Sequence, residues 1–185
     1  MIPPDPARPR AGTLSFDLEI PMDMTFAGST TWLGGGGLEL GAAYRLTDRL
    51  SVGVTGTFEG VVPVGASPGS SPEPAMRLRA GGLARYFVHL GPMGGVWLGA
   101  RGGYETLDGG STRGTYADVS VGIDWWAFVM QTGLYVAAGV SVEPASAYGA
   151  SSTDAIARTS GPPPASAPAA IDAPYVVFGW HLAFH

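Results

Sequence analysis

The residues with the greatest capacity for chemistry in this sequence are charged, and they share one arrangement. Each lies in a stretch where apolar and polar residues alternate, and each falls opposite the apolar row. These residues are Asp17, Glu19, Glu39, Arg45, Glu59, Arg77, Arg79, Arg85, Arg101, Glu105, Asp118 and Asp124, with Glu143 following the same rule. Because successive side chains of a β-strand point to opposite faces, the charges would share one face of a sheet. The planar guanidinium of arginine pairs well with carboxylates, so the set predicts an ion-pair network.

Two further motifs could bind a ligand, but neither has the context that its chemistry needs. The glycines at 34–37 resemble a phosphate-binding loop, yet such a loop precedes a helix and usually carries a lysine. Here an alternating stretch follows, and the chain contains no lysine. His181 and His185 are four residues apart, which corresponds to roughly 13 Å along a strand. The glycines therefore predict a flexible entry into a strand, and we expect neither a metal site nor a cofactor.

Composition limits the class of protein. The chain has 185 residues, a net charge of −5, no cysteine, 29 glycines, and only 14% charged against 45% hydrophobic residues. Its length suits one domain, and the missing basic stripe argues against a nucleic-acid partner. Residues 1–12 lack the apolar core of a signal peptide. We expect them to form a disordered or extended segment before a single domain at 13–185.

Alternation of apolar and polar residues occurs eight times, which predicts eight strands. They cover about 13–20, 38–46, 50–59, 76–88, 96–105, 118–125, 134–143 and 175–184. The uncharged run from Trp125 to Val142 is also almost long enough for a transmembrane helix. Its central residues 131–133, Gln-Thr-Gly, and its β-branched and aromatic residues favour a turn between two strands instead.

Alternation is common to soluble barrels and to transmembrane barrels, in which the apolar face points outward to lipid. The predicted connections favour the membrane, because those after odd strands are longer than those after even strands. The longer ones are Pro21–Thr31, Gly60–Ala75, Leu107–Gly114 and the Ala/Ser/Pro-rich Pro144–Pro174. Aromatic residues of the apolar face also cluster near strand ends, as in the girdles of membrane barrels. They are Tyr44, Tyr86, Trp125 and Phe184 at one end, and Phe58, Tyr104 and Phe178 near the other.

The segment from Phe178 to Phe184 resembles the C-terminal assembly signal of outer-membrane barrels, with matches at Gly179, Leu182 and Phe184. It departs from that signal at Phe178 and in the additional His185. The whole chain resembles the outer membrane protein A/X type of barrel, and more loosely the outer membrane protein W family. The resemblance implies an eight-stranded antiparallel up-and-down transmembrane β-barrel. It also implies a Gram-negative outer membrane with both termini periplasmic, lipid and lipopolysaccharide as surroundings, and insertion by the barrel assembly machinery.

The function expected from these features is structural or surface-interacting, and not enzymatic. An eight-stranded barrel is just wide enough to be filled by side chains, so the charged network would plug the lumen. No serine–histidine pair is expected at the extracellular rim, because His89 and His181 map to the periplasmic half. An envelope protein could bind the extracellular loops. The alternatives are a narrow conduit for small or apolar solutes and a soluble lipocalin-like carrier.

Overall fold

The structure is a computed structural model that describes residues 10–27, 31–64, 74–107, 112–127, 130–143 and 171–185. These residues form eight strands: β1 (Leu14–Ala27), β2 (Thr31–Arg45), β3 (Leu50–Val64), β4 (Ala75–Leu90), β5 (Gly94–Leu107), β6 (Thr112–Ala127), β7 (Met130–Glu143) and β8 (Ile171–Phe184). Within the described residues, no helix is long and apolar enough to cross a membrane. The uncharged run from Trp125 is divided between β6 and β7, as its β-branched residues favoured.

The eight strands form one closed antiparallel barrel in which β8 pairs with β1. Each strand therefore pairs with its neighbours in sequence, and the up-and-down topology predicted from the sequence is confirmed. A path along paired residues returns to β1 ten residues further on. The path passes through Ser15, Ala43, Gly53, Leu83, Arg101, Asp118, Gly139, Tyr175 and Thr25. Such a stagger requires the strands to tilt against the barrel axis.

The strands extend further than the alternation predicted. β1 continues through Pro21 to Ala27, and the glycines at 34–37 lie inside β2 and not at its entry. Because proline has no N–H, the β1–β2 pairing is interrupted between Glu19–Glu39 and Met22–Gly36. Pairing of Pro21 with Gly179 of β8 keeps the strand in the wall. Pairing with neighbouring strands therefore keeps Pro21 and the glycines at 34–37 in strands, although both are local signals for a loop.

These longer strands correct the predicted connections. Only residues 28–30 separate β1 from β2, and only 108–111 separate β5 from β6. The rule that every odd connection is long is therefore wrong for these two, whereas 65–74 and 144–170 remain long. The β6–β7 connection comprises 128–129, so residues 131–133 lie in β7 and not in a turn. The Ala/Ser/Pro-rich connection between β7 and β8 lies outside the described residues.

The two faces of the wall have opposite character. Large apolar side chains are exposed on the outside, among them Leu14, Phe16, Leu40, Val54, Phe58, Leu78, Leu98, Val119, Leu134, Phe178 and Trp180. The twelve charged residues point into the lumen; all are buried except Arg101, which is partly buried, and Arg77 is fully inaccessible. A soluble lipocalin-like carrier needs the reverse arrangement, so that alternative is wrong. An apolar exterior around a charged interior is the arrangement of a membrane-spanning barrel.

The outward aromatic residues form one belt more clearly than two. Tyr44, Tyr86, Trp125 and Phe184 are 44 to 47% exposed at the end where β1 begins and β8 finishes. We call this end the terminal mouth and the opposite end the loop mouth. Phe58 and Phe178 lie near the middle of β3 and β8, because both strands continue beyond the predicted limits. Of the second predicted belt, Tyr104 lies three residues before the end of β5, whereas the other two members do not lie at strand ends.

Removing Phe184 and His185 together is expected to reduce insertion into the outer membrane sharply. Phe184 pairs with Phe16 of β1 and with Met130 of β7, so the deletion opens the barrel seam at the terminal mouth. An open strand edge is not tolerated in lipid. Heat-modifiable mobility of the protein in isolated outer membranes measures the folded fraction. Deleting His185 alone, which follows β8, serves as the control and should leave assembly unchanged; normal insertion of the double deletion would contradict the role of Phe184.

Candidate functional site

The lumen brings together all twelve charged residues singled out in the sequence. Arg101 is partly buried, and the other eleven are buried. They divide into a lower cluster towards the terminal mouth, an upper cluster towards the loop mouth, and two residues, Arg45 and Asp124, near the terminal rim. One member of the upper cluster, Asp23, was missed because Pro21 looked like the end of β1. Asp23 is 3% exposed and belongs to the same row as Asp17 and Glu19.

Arg85 of β4 anchors one half of the lower cluster. Its Nη1 donates to Asp17 Oδ2 at 2.9 Å, and its Nη2 donates to Glu19. Both carboxylates lie on β1, three strands away along the wall. The guanidinium also lies 5.1 Å from the ring centroid of Trp97. Arg85 therefore connects two parts of the wall that share no backbone pairing.

Arg101 of β5 binds carboxylates from three strands and forms the other half of the lower cluster. Its Nη1 lies 2.9 Å from Glu39 Oε2 of β2 and 3.4 Å from Glu19 Oε2 of β1. Its Nε donates to Asp118 Oδ1 of β6 at 3.1 Å. Glu39 also accepts a hydrogen bond of 2.8 Å from the hydroxyl of Thr57. Arg101 is thus the centre of the lower cluster.

The upper cluster is built from two arginines of β4. Arg77 Nη1 lies 2.6 Å from Asp23 Oδ2 and 3.6 Å from Glu59 Oε2. Arg79 Nε donates to Glu105 Oε2 at 3.1 Å, and its Nη1 lies 3.7 Å from the same oxygen of Glu59. Glu59 consequently connects the two arginines. Asp23 lies on β1 and Arg77 on β4, so this cluster also crosses the lumen.

The two remaining charges lie near the terminal mouth. Asp124 accepts a hydrogen bond of 2.8 Å from Trp97 Nε1 and another from Gln131, and its Oδ1 lies 3.1 Å from His181 Nε2. Arg45 donates to the backbone oxygen of Asp48 at 3.1 Å, and its guanidinium lies 4.3 Å from the ring centroid of Phe87. Near this mouth the charged groups make hydrogen bonds and contact a histidine and an aromatic face.

Carboxylates outnumber guanidiniums in the described part of the lumen. With Asp23 included, eight carboxylates and five arginines face inward. The side chain of Glu143 lies outside the described residues. Unpaired buried charges are costly. Each arginine of the two clusters contacts two or three carboxylates, so these four arginines can serve a larger number of carboxylates.

Large aromatic residues, for which the sequence predicted no role, lie in the lumen beside the charged clusters. Trp97, Tyr116, Tyr135 and Tyr175 are all buried and, with Phe87, belong to one hydrophobic cluster. Each of the four is paired across the strands with a glycine: Trp97 with Gly122, Tyr116 with Gly103, Tyr135 with Gly179 and Tyr175 with Gly139. The recurrence of glycine opposite a large inward residue was the available sequence signal, but it becomes visible only once the register is known.

These glycines are required for space. A Cβ at Gly122 would lie 2.3 Å from the Trp97 ring, and one at Gly179 would lie 2.2 Å from the Tyr135 ring. Gly179 therefore has a packing role in the lumen in addition to its place in the predicted assembly signal. The other two residues of that signal, Leu182 and Phe184, lie on the outer face of β8.

The three histidines lie in different surroundings. His181 is fully buried in the lumen, His185 follows β8 at the terminal mouth, and His89 is exposed near the end of β4. In the part of the chain that the structure describes, no three His, Cys, Asp or Glu side chains are grouped as metal ligands.

The fold is similar to that of solved outer-membrane proteins. No family model and no curated protein sequence matches the chain. The structure of Neisserial surface protein A (NspA) matches with a TM-score of 0.63 and 13% identity, over 92% of this chain and 96% of that one. Outer membrane protein OprG from Pseudomonas aeruginosa matches with a TM-score of 0.53 and 12% identity, over 95% and 97%. This chain therefore has the fold of the small eight-stranded outer-membrane β-barrels, with the apolar exterior of a membrane-spanning protein.

Proposed function

We propose that this protein is an integral outer-membrane barrel with a structural or surface-interaction role and no enzymatic activity. Both termini would face the periplasm, and the arginine–carboxylate network would plug the lumen. Its surroundings would be outer-membrane lipid and lipopolysaccharide, and the barrel assembly machinery would insert it. A partner protein of the envelope would bind the extracellular loops.

The observation that supports this proposal is that the ion pairs cross the lumen. Arg77 and Arg85 of β4 bind carboxylates of β1, and Arg101 of β5 binds Glu39 of β2. In an eight-stranded barrel, such side chains occupy most of the interior. Two cavities in the described lumen have volumes of about 10 Å³ each, room for about one water molecule. This packing supports a lumen without a continuous path for sugars or other nutrients.

Planar bilayer recordings of the purified protein test the proposal. We expect little or no steady conductance and only brief, rare openings, because the charged clusters must separate before ions pass. Addition of protein-free detergent provides the background. A large, stable and ion-selective conductance would contradict a plugged lumen and favour transport.

A narrow channel is the second candidate, and one observation favours it. Eight carboxylates against five arginines give the lumen an excess of negative charge. If the network rearranged to open a path, cations would be the permeating ions. Reversal potentials in asymmetric potassium chloride therefore distinguish a cation-selective channel from nonselective leakage.

A further inference from the structure

The lumen changes character above the upper ion-pair cluster. Leu33, Val61, Leu107 and Ala173 point inward near the loop mouth and are 7%, 1%, 5% and 0% exposed. They belong to β2, β3, β5 and β8, and the stagger of the barrel brings them to about the same level. We call these four residues the apolar seal. A layer of this kind excludes water from a narrow passage by dewetting.

Among the four arginines of the two clusters, those nearer this layer are less exposed to solvent. The side chains of Arg85 and Arg101 in the lower cluster are each 9% exposed. In the upper cluster the corresponding values are 5% for Arg79 and 0% for Arg77. Arg77, which pairs with Leu107 of the apolar seal, is therefore the least accessible of these four arginines.

Both cavities lie in the terminal half of the lumen. One is at the terminal mouth, and its lining includes Ser51, Arg45 and Arg85. The other lies deeper, and its lining includes Ser120, Arg85 and Arg101. Arg85 thus borders both cavities. The two cavities therefore share a lining residue between the terminal mouth and Arg101.

We infer that the lumen is a one-sided vestibule, which admits water and small cations from the terminal mouth as far as Arg101 and is closed at the loop mouth by the apolar seal. The excess of carboxylates favours cations over anions in this space. The inference deepens the proposed function, since it locates the barrier that makes the barrel a plug. It assigns that barrier to the apolar seal and not to the ion pairs.

Cysteine accessibility tests the inference cleanly, because the natural chain contains no cysteine. Ser120→Cys places a thiol in the deeper cavity. Ser51→Cys marks the terminal mouth, and Arg113→Cys, at an exposed position near the start of β6, marks the loop side. Silver ion, a small thiol-reactive cation, is added to one side of liposomes that contain oriented, full-length protein. Mass spectrometry after denaturation gives the fraction of thiols that remain free.

We expect the Ser120→Cys thiol to react at least about tenfold faster from the Ser51 side than from the Arg113 side, because an apolar constriction resists hydration. Adding Leu107→Asn, which keeps the size but makes the layer polar, should raise the loop-side rate towards the terminal-side rate. Leu107→Met is the matched apolar control and should preserve the asymmetry. Heat-modifiable mobility verifies that each variant is folded.

Equal reaction from both sides, or no reaction from the terminal side, would overturn the one-sided vestibule even if Leu107→Asn fails to fold. These outcomes are separable from failure of the proposed function. A barrel that is silent in bilayers but equally accessible from both sides would disprove the seal alone. A stable conductance of the natural protein would disprove the plugged lumen itself.

Discussion

Replacing Arg101 with alanine should lower the free energy of unfolding by about 3–5 kcal/mol, the range for removing one partner of a buried ion pair. The substitution leaves Glu19, Glu39 and Asp118 without the guanidinium that contacts all three. Urea titration of the protein refolded in lipid vesicles measures the loss. In bilayer recordings, the same variant should open more often than the natural protein.

Two controls separate the charge effect from lost packing. Arg113→Ala removes an exposed arginine and should change stability by less than about 0.5 kcal/mol. Combining Arg101→Ala with Glu39→Gln also removes a carboxylate that has lost its guanidinium partner. The double variant should therefore recover part of the lost free energy of unfolding, since contacting residues are coupled. A loss of under 1 kcal/mol for Arg101→Ala, or an additive double variant, would contradict the central role of Arg101.

Replacing Val54 with arginine should cost about 2–4 kcal/mol, the range for arginine on the lipid face near the bilayer midplane. Val54 is 64% exposed on the outside of β3, where it pairs with Ala42 and Gly82. In a soluble barrel, an exposed position of this kind would accept arginine at almost no cost. Refolding titrations in vesicles measure the change.

An arginine placed on the same outer face but close to the membrane interface provides the matched control for this prediction. Leu46 is 50% exposed just after β2, at the terminal mouth. Leu46→Arg should cost about 0–1 kcal/mol, because the penalty falls towards the membrane interface. Val54→Met keeps the position apolar and should be nearly neutral. Equal costs for the two arginine variants would argue against a membrane around the middle of the barrel.

Local sequence was sufficient for the number of strands and for the faces of the twelve charged residues that it singled out. Side chains alternate strictly along a strand, so Arg77, Arg79 and Arg85 had to share one face wherever β4 lay in the barrel. The apolar row of the same strand then had to face lipid once the interior was charged. Period-two patterning needs no knowledge of neighbouring strands.

Strand ends could not be determined in this way. Pro21 and the glycines at 34–37 carry local signals for a loop, yet they lie within β1 and β2 because β8 and β3 pair with them. Pairing with neighbours supplies hydrogen bonds that no local preference reveals. Asp23 was missed for this reason, although it binds Arg77 in the upper cluster.

The sequence by itself determined the face of the charged residues within the predicted strands, and only the tertiary structure decided which of them meet. Glu19 and Arg101 are 82 residues apart, and their contact depends on barrel closure and on the ten-residue stagger. The same register places Gly122 under Trp97 and brings Leu33 and Leu107 to one level. Alternation is a property of each strand, whereas stagger is a property of the closed sheet, so partners across the lumen are not encoded in any single segment.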